Sequence, residues 1–413
     1  MKKFLSFTLL LTILLSSLSF SSCYIYVHEY QGKEPKFKLN NDHASYTLSY
    51  MYLDKEGEVV IPSEYNGLPV TRIGSFVFWN EDYLKSLVIP DTITHINRHA
   101  FQNCVNLEIV SFEEGSKLEV IEGCAFGDCH SLKEIELPVS LKSLVDQTFL
   151  GCYSLESIHI PKNVSHLNGH AFTGCDSLIN ITVDEENETF KKVGNFIYEI
   201  KDGKKYISMC LAGDENGVLS FPENIDGIRS SAFSVCKNID TVYIHAGFDY
   251  IPDILCAKEY IVDEDNPNFC SIGGVVYSKD MTKLVYYPRS KEDKTFTVPS
   301  SVEWIASSGS NPAAFANVKY LENVIISEGV TLIDWWAFSG SSINTLELPK
   351  SLESIGSKAF YECNSLEEIK YAGTRDEFRT ITKGHYWIYF TKTPIIKVVC
   401  TNGARLVWTG LNR

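Results

Sequence analysis

The stretch Cys124-Ala125-Phe126-Gly127-Asp128-Cys129-His130-Ser131-Leu132-Lys133-Glu134-Ile135-Glu136-Leu137-Pro138 decides the fold. Leu132, Ile135 and Leu137 stand at +6, +9 and +11 from Phe126, and a proline follows. Such an L-x-x-L-x-L segment reads as one short strand with inward apolar side chains, stopped by Pro because Pro cannot continue a ladder. Working outward, a Phe, usually preceded by Ala, recurs at Phe78, Phe101, Phe126, Phe149, Phe172, Phe233, Phe315, Phe338 and Phe360, with spacings of 23, 25, 23, 23, 61, 82, 23 and 22. Nine units carry apolar residues at all three forward positions, from Leu84, Leu87 and Ile89 to Leu366, Ile369 and Tyr371, the unit after Phe338 fitting once one residue is deleted. A second apolar pair follows the turn, as in Ile93 and Ile96 or Leu141 and Leu144.

A coil of this length cannot bury its own apolar edge, so stacking must supply the core, with each coil touching its neighbours. The fold class expected is mainly β, a leucine-rich-repeat solenoid of ~23-residue coils with short parallel strands. At a strand spacing of about 4.8 Å, some ten coils make a rod or shallow arc roughly 50 Å long. The quoted stretch resembles the BspA-like leucine-rich repeat of bacterial surface proteins. Val59-Val60-Ile61-Pro62 through Leu68-Pro69-Val70-Thr71-Arg72-Ile73-Gly74 is similar to that family's opening coil, and Tyr371-Ala372-Gly373-Thr374 with Cys400-Thr401-Asn402-Gly403 to its closing segment. The resemblance covers residues 44–405 and implies cell-surface adhesion or binding to host proteins or partner cells. No catalytic residues come with it, so no enzyme activity and no cofactor are expected.

Two insertions are related to each other. Val183-Asp184-Glu185-Glu186-Asn187 with Phe190, Gly194 and Tyr198 matches Val262-Asp263-Glu264-Asp265-Asn266 with Phe269, Gly273 and Tyr277 at a constant offset of 79. They are expected as β-hairpin elaborations near 184–220 and 262–298, side features of one continuous solenoid. The solenoid spans 44–405 with a closing segment at 371–405, a linker at 23–43 and a tail at 406–413.

Residues 1–22 read as a secretory signal: a basic Met1-Lys2-Lys3 start, then an uncharged apolar run too short to span a membrane. Phe20-Ser21-Ser22-Cys23 resembles the cleavage box of bacterial lipoproteins, which implies acylation of Cys23 and attachment by acyl chains alone. Phe20 departs from the usual aliphatic residue there, and ordinary cleavage that leaves Cys23 unmodified stays open. The expected location is the bacterial cell envelope, at the cell surface or outer membrane.

Composition agrees with a packed exterior protein. The 413 residues are 44% hydrophobic, which argues against disorder, and the net charge of −15 argues against a nucleic-acid partner. Of 12 cysteines, six (Cys104, Cys129, Cys152, Cys175, Cys236 and Cys363) lie three residues after a repeat Phe. That regularity predicts a ladder of buried thiols that can donate to neighbouring carbonyls, with partial disulfide pairing the other reading. His95 with His99, and His166 with His170, have zinc-like spacing but occupy the same repeat positions on turns. The acidic runs at 184–186 and 263–265 read as solvated turns rather than calcium loops. Asn163, Asn180 and Asn187 begin glycosylation sequons, read as coincidence in a bacterial chain.

Binding needs side chains the repeat does not prescribe. The outward strand positions at +8 and +10 include Glu134 and Glu136, Ser157 and His159, Asn180 and Thr182, and Thr241 and Tyr243. The central ones suit a protein or glycan contact, since the strand face is the natural docking surface of a solenoid. Trp335 and Trp336 form an aromatic step before Phe338, with Trp336 read either as a surface anchor or as packing against the next coil. The expected function is a non-catalytic, adhesin-like surface protein whose partner is a host matrix or serum protein or another cell surface. The alternatives are a carbohydrate-binding lipoprotein using Trp336 and Tyr243, or a structural envelope component.

Overall fold

The computed structural model describes residues 34–53, 57–254, 256–306, 313–389 and 395–409, so the signal segment and Cys23 lie outside the described residues. Most regular coils give one strand to each of two parallel ladders. On the first face, four-residue strands pair in parallel, as Ser86–Ile89 with Ile109–Phe112, Ser157–Ile160 with Asn180–Val183, and Asn323–Ile326 with Thr345–Leu348. On the second face, two-residue strands such as His95–Ile96, Val120–Ile121, Ser143–Leu144 and His166–Leu167 run in unbroken sequence.

Most turns bearing a repeat Phe carry a left-handed residue at +2, at −2 or at both. At +2 the residue with positive φ is Asn80, Asn103, Asp128, Gly151, Gly174, Asn317 or Gly340, types that tolerate this conformation, and Glu362, which does not. At −2 it is Phe76, His99, Cys124, Gln147, Trp336 or Lys358, side chains for which the conformation costs about 1–2 kcal/mol. Stacking across coils offsets that cost, as where the Phe76 and His99 rings lie 4.8 Å apart and nearly parallel.

Between the ladders the Phe rings form two buried stacks, Phe78 to Phe172 with centroids 5.1–5.8 Å apart and Phe315 to Phe360 at 4.6–5.1 Å. The thiols at +3 run beside them. Cys104, Cys129, Cys152, Cys175 and Cys363 each donate to the carbonyl of the preceding coil's Phe at 2.9–3.3 Å. Burial pushes the thiols of Cys104, Cys175 and Cys363 up to about 12, so they stay protonated at neutral pH.

The insertions are not side features. Each is a three-stranded antiparallel meander, Phe190–Val193, Phe196–Lys201 and Lys204–Cys210 in the first, Phe269–Ile272, Val275–Ser278 and Lys283–Tyr286 in the second. The last strand of each rejoins the second ladder in parallel, Tyr206 opposite Gly227 and Lys283 opposite Trp304. Much of the second and third strands is buried on both faces because neighbouring residues point into different cores, while the first strand is more exposed. Ile197 and Met209 join the amino-terminal core, while Tyr198, Ile207 and Cys210 join the middle one. In the second meander, Val276, Val285 and Tyr286 face the middle core and Val275, Tyr277 and Leu284 the carboxy-terminal one. The insertions therefore divide the interior into three cores and are the layers between them.

Both ends are closed by antiparallel pairs that cover otherwise open strand edges. Lys36–Leu39, in the stretch expected as linker, pairs with Tyr46–Tyr50, and Arg405–Thr409, largely in the expected tail, pairs with Ile395–Cys400. Among the described residues no helix is long and apolar enough to cross a membrane.

Candidate functional site

The first face is interrupted where the sequence implies another strand. Ile135 and Leu137 are buried as their repeat positions require, yet among the described residues no backbone hydrogen bond joins 134–137 to the strands on either side. The break adjoins the coil with 25 residues between its Phe residues, whose extra length sits in the exposed turn 113–116. A groove of about 480 Å³ opens there, lined by Ser111, Glu113, Glu136, Val139, His159 and Asp184 among others. Its rim carries three carboxylates, and Ile109 and Val139 beside it are 58% and 56% exposed. The His159 ring lies between Thr182, whose hydroxyl is 2.9 Å from Nδ1, and the Asp184 carboxylate, 3.8 Å from Nε2.

The outward residues expected to bind a partner fall into separate patches. Ser157, His159, Asn180 and Thr182 share one two-stranded sheet, with Ser157 opposite Asn180 and His159 opposite Thr182, and they adjoin the groove. Thr241 and Tyr243 belong to another sheet beyond the first insertion, and their hydroxyls are engaged: Thr241 donates to Glu259 at 2.8 Å and Tyr243 to Asp263 at 2.5 Å. The latter bond raises the Tyr243 pKa and lowers that of Asp263.

Trp335 and Trp336 stand on a turn, away from both patches. The surface aromatic is Trp335, 62% exposed, whereas Trp336 is half-buried. Its left-handed backbone places it in the stacking row, with its ring 5.3 Å from that of Tyr361 and the Lys358 ammonium 4.5 Å from its centre. Trp335 in turn lies over Gly356, where an added Cβ would come within 2.6 Å of the Trp335 ring and backbone.

Other candidates are absorbed by local structure. His99 bonds Gln102, and His170 lies 2.9 Å from the Ser234 hydroxyl. Asp184 and Asp263 each accept a backbone N–H two residues on, from Glu186 and Asp265. Among the described residues no group of three or more His, Cys, Asp or Glu is placed to hold a metal. Asn187 is fully buried with its amide in four hydrogen bonds, which leaves no access for a glycan. The groove itself was marked in the sequence by one signal, the 25-residue spacing among units of 23.

A family model for the BspA type leucine rich repeat region matches in six copies, over residues 71–199, 210–262 and 286–398. The chain is similar to a solved leucine rich cell surface protein from Faecalibacterium prausnitzii A2-165 at 24% identity and a TM-score of 0.44, covering 86% of this chain and 97% of that one. A leucine-rich repeat protein from Bacteroides ovatus aligns at 19% identity and 0.39, covering 91% of both chains. The pneumococcal vaccine antigen PcpA aligns at 20% identity and 0.35, covering 90% of this chain and 81% of that one. No curated protein matches.

Proposed function

This chain belongs to the BspA-type leucine-rich-repeat family, and from that premise we propose that it is a surface protein of the bacterial envelope, lipid-anchored through Cys23, that binds a protein partner and performs no catalysis. The observation that carries this reading is the groove at the break in the first face. Strand backbone at 134–137 is left without ladder partners there, beside exposed Ile109 and Val139 and the carboxylates of Glu113, Glu136 and Asp184. An extended segment bearing lysine or arginine would meet all three: backbone pairing, apolar contact and opposite charge. His159 lines the groove, and Ser157, Asn180 and Thr182 on the same sheet extend the contact beyond it.

The test is binding of the purified mature chain to immobilised matrix and serum proteins, in parallel with a glycan array. The double variant Glu136→Lys with Asp184→Lys should weaken protein binding by roughly tenfold or more, and binding by the unaltered chain should fall as salt rises. Retention of full affinity by the double variant would overturn the groove as the site. The lipid anchor is checked by the mass of the mature amino-terminal peptide, which should begin at an acylated Cys23.

A glycan reading has one observation in its favour, the exposed Trp335 ring. Trp335→Ala should then abolish array binding while leaving protein capture intact. Tyr243 lends this reading little, since its hydroxyl is held by Asp263.

A further inference from the structure

The thiol ladder contains one exception. In the regular coils each thiol donates to the Phe carbonyl of the coil before, as Cys104 does to Phe78 and Cys152 to Phe126, 26 residues earlier in the chain. The same count back from Cys236 reaches not a Phe but Cys210, the last residue of the first meander's third strand. A thiol thus stands opposite a thiol, with 3.1 Å between the two sulfurs.

The backbone holds the pair in place. Ala212 and Lys237 form a parallel bridge, the Lys237 N–H donates to Leu211 at 3.2 Å, and the Cys210 N–H donates to Ala232 at 2.7 Å. The bridge holds the two segments at the spacing of neighbouring strands, about 4.8 Å, with Cys210 one residue off the register of Cys236. Cys256 approaches the Cys236 carbonyl rather than its sulfur, at 4.0 Å. Cys210 is buried and Cys236 only partly so.

The position matters mechanically. The first face stops at Asn180–Val183 and resumes at Val218–Ser220, and the first meander fills the gap. Across this junction the Lys237 ammonium donates to the carbonyls of Cys175, Asp176 and Leu178 at 3.0, 2.5 and 3.2 Å. A covalent link one residue away would join the meander itself to the same following coil.

We propose that Cys210 and Cys236 form a disulfide when the chain enters an oxidising compartment, locking the first meander to the coil that follows it. The two thiols lose two protons and two electrons, which pass to the disulfide of a thiol oxidoreductase or of a small-molecule carrier. The Cys236 thiolate attacks the carrier disulfide and expels one thiol, and the Cys210 thiolate then displaces the other, leaving the carrier as two thiols. Hydrogen bonding to Cys210 and burial raise the Cys236 pKa, so exchange should quicken with alkaline pH. The event in the cell rests on the export proposed above, but the geometry is tested without it.

The full mature chain, expressed reduced, is incubated with oxidised glutathione, denatured, alkylated and digested without reductant. A peptide joining Cys210 to Cys236, lighter by two hydrogens than the separate peptides, is the expected product. Its reduction should lower the thermal midpoint by roughly 5 °C, a shift absent from Cys236→Ala. Complete alkylation of both residues after oxidation, or a dominant Cys236–Cys256 link, would overturn the proposal. The mapping uses the unaltered chain, so a poorly folding variant leaves the result intact. A lipidated chain exported normally yet unlinked at these cysteines would sink this inference alone.

Discussion

Asn187→Ala should destabilise the chain by about 4 kcal/mol or more, since each unpaired buried polar group costs about 1–3 kcal/mol. The Asn187 amide donates to the carbonyls of Pro161 and Val164 at 2.8 and 3.0 Å and accepts from the N–H groups of Thr189 and Phe190 at 2.9 and 2.7 Å. One side chain thereby ties the last turn of a regular coil to the start of the first meander. Alanine would strand two carbonyls and two N–H groups where no solvent reaches, since Asn187 has no exposed surface. The second insertion supplies an internal replicate: Asn266 donates to His245 and Phe248 and accepts from Asn268 and Phe269 at 2.9–3.0 Å. Because the three cores meet through these layers, loss need not be uniform along the chain. Urea unfolding with limited proteolysis should show early cleavage near 161–190 in the first variant and near 245–269 in the second. A shift below about 1 kcal/mol would mean the surrounding turns repack without the amide, which the four-bond geometry does not allow.

Phe126→Ala is expected to cost about 3–5 kcal/mol, the range for removing a buried aromatic ring from a tight core. The ring is sandwiched between Phe101 at 5.1 Å and Phe149 at 5.7 Å, each within 9° of parallel. Its loss opens a cavity on both sides at once, and stacked coils held by an unbroken second ladder cannot close it without shortening the solenoid. Phe233→Ala should cost markedly less although the sequence gives Phe233 the same letter in the same phase. It follows the first meander rather than a regular coil, is half-buried, and meets Phe221 edge-on at 6.0 Å instead of joining a stack. Equal losses in the two variants, measured by the same urea titration, would contradict the stack as the source of the difference.

The contrast between Phe126 and Phe233 marks where reading the chain stops being enough. Periodicity locates inward positions because a strand alternates its faces and a coil must return to the same place, so Leu132, Ile135 and Leu137 could be placed in the core from spacing alone. The same rule says nothing about whether a strand backbone finds its neighbour, and 134–137 does not. The insertions were visible as a repeat within the repeat at an offset of 79, but a run buried on both faces has no alternation to betray it. They were therefore expected beside the solenoid instead of inside it. Trp335 and Trp336 are adjacent letters whose exposures were decided by one left-handed backbone angle at 336.

The sequence by itself determined the coil, its phase, the Phe and thiol rows and the family, because each follows from a residue recurring at a fixed interval. The tertiary structure alone decided which coils pair, where the first face opens into a groove, and that Cys236 meets a sulfur instead of a carbonyl. Those outcomes depend on what two coils present to each other, and an interval along one chain carries no distance between neighbours.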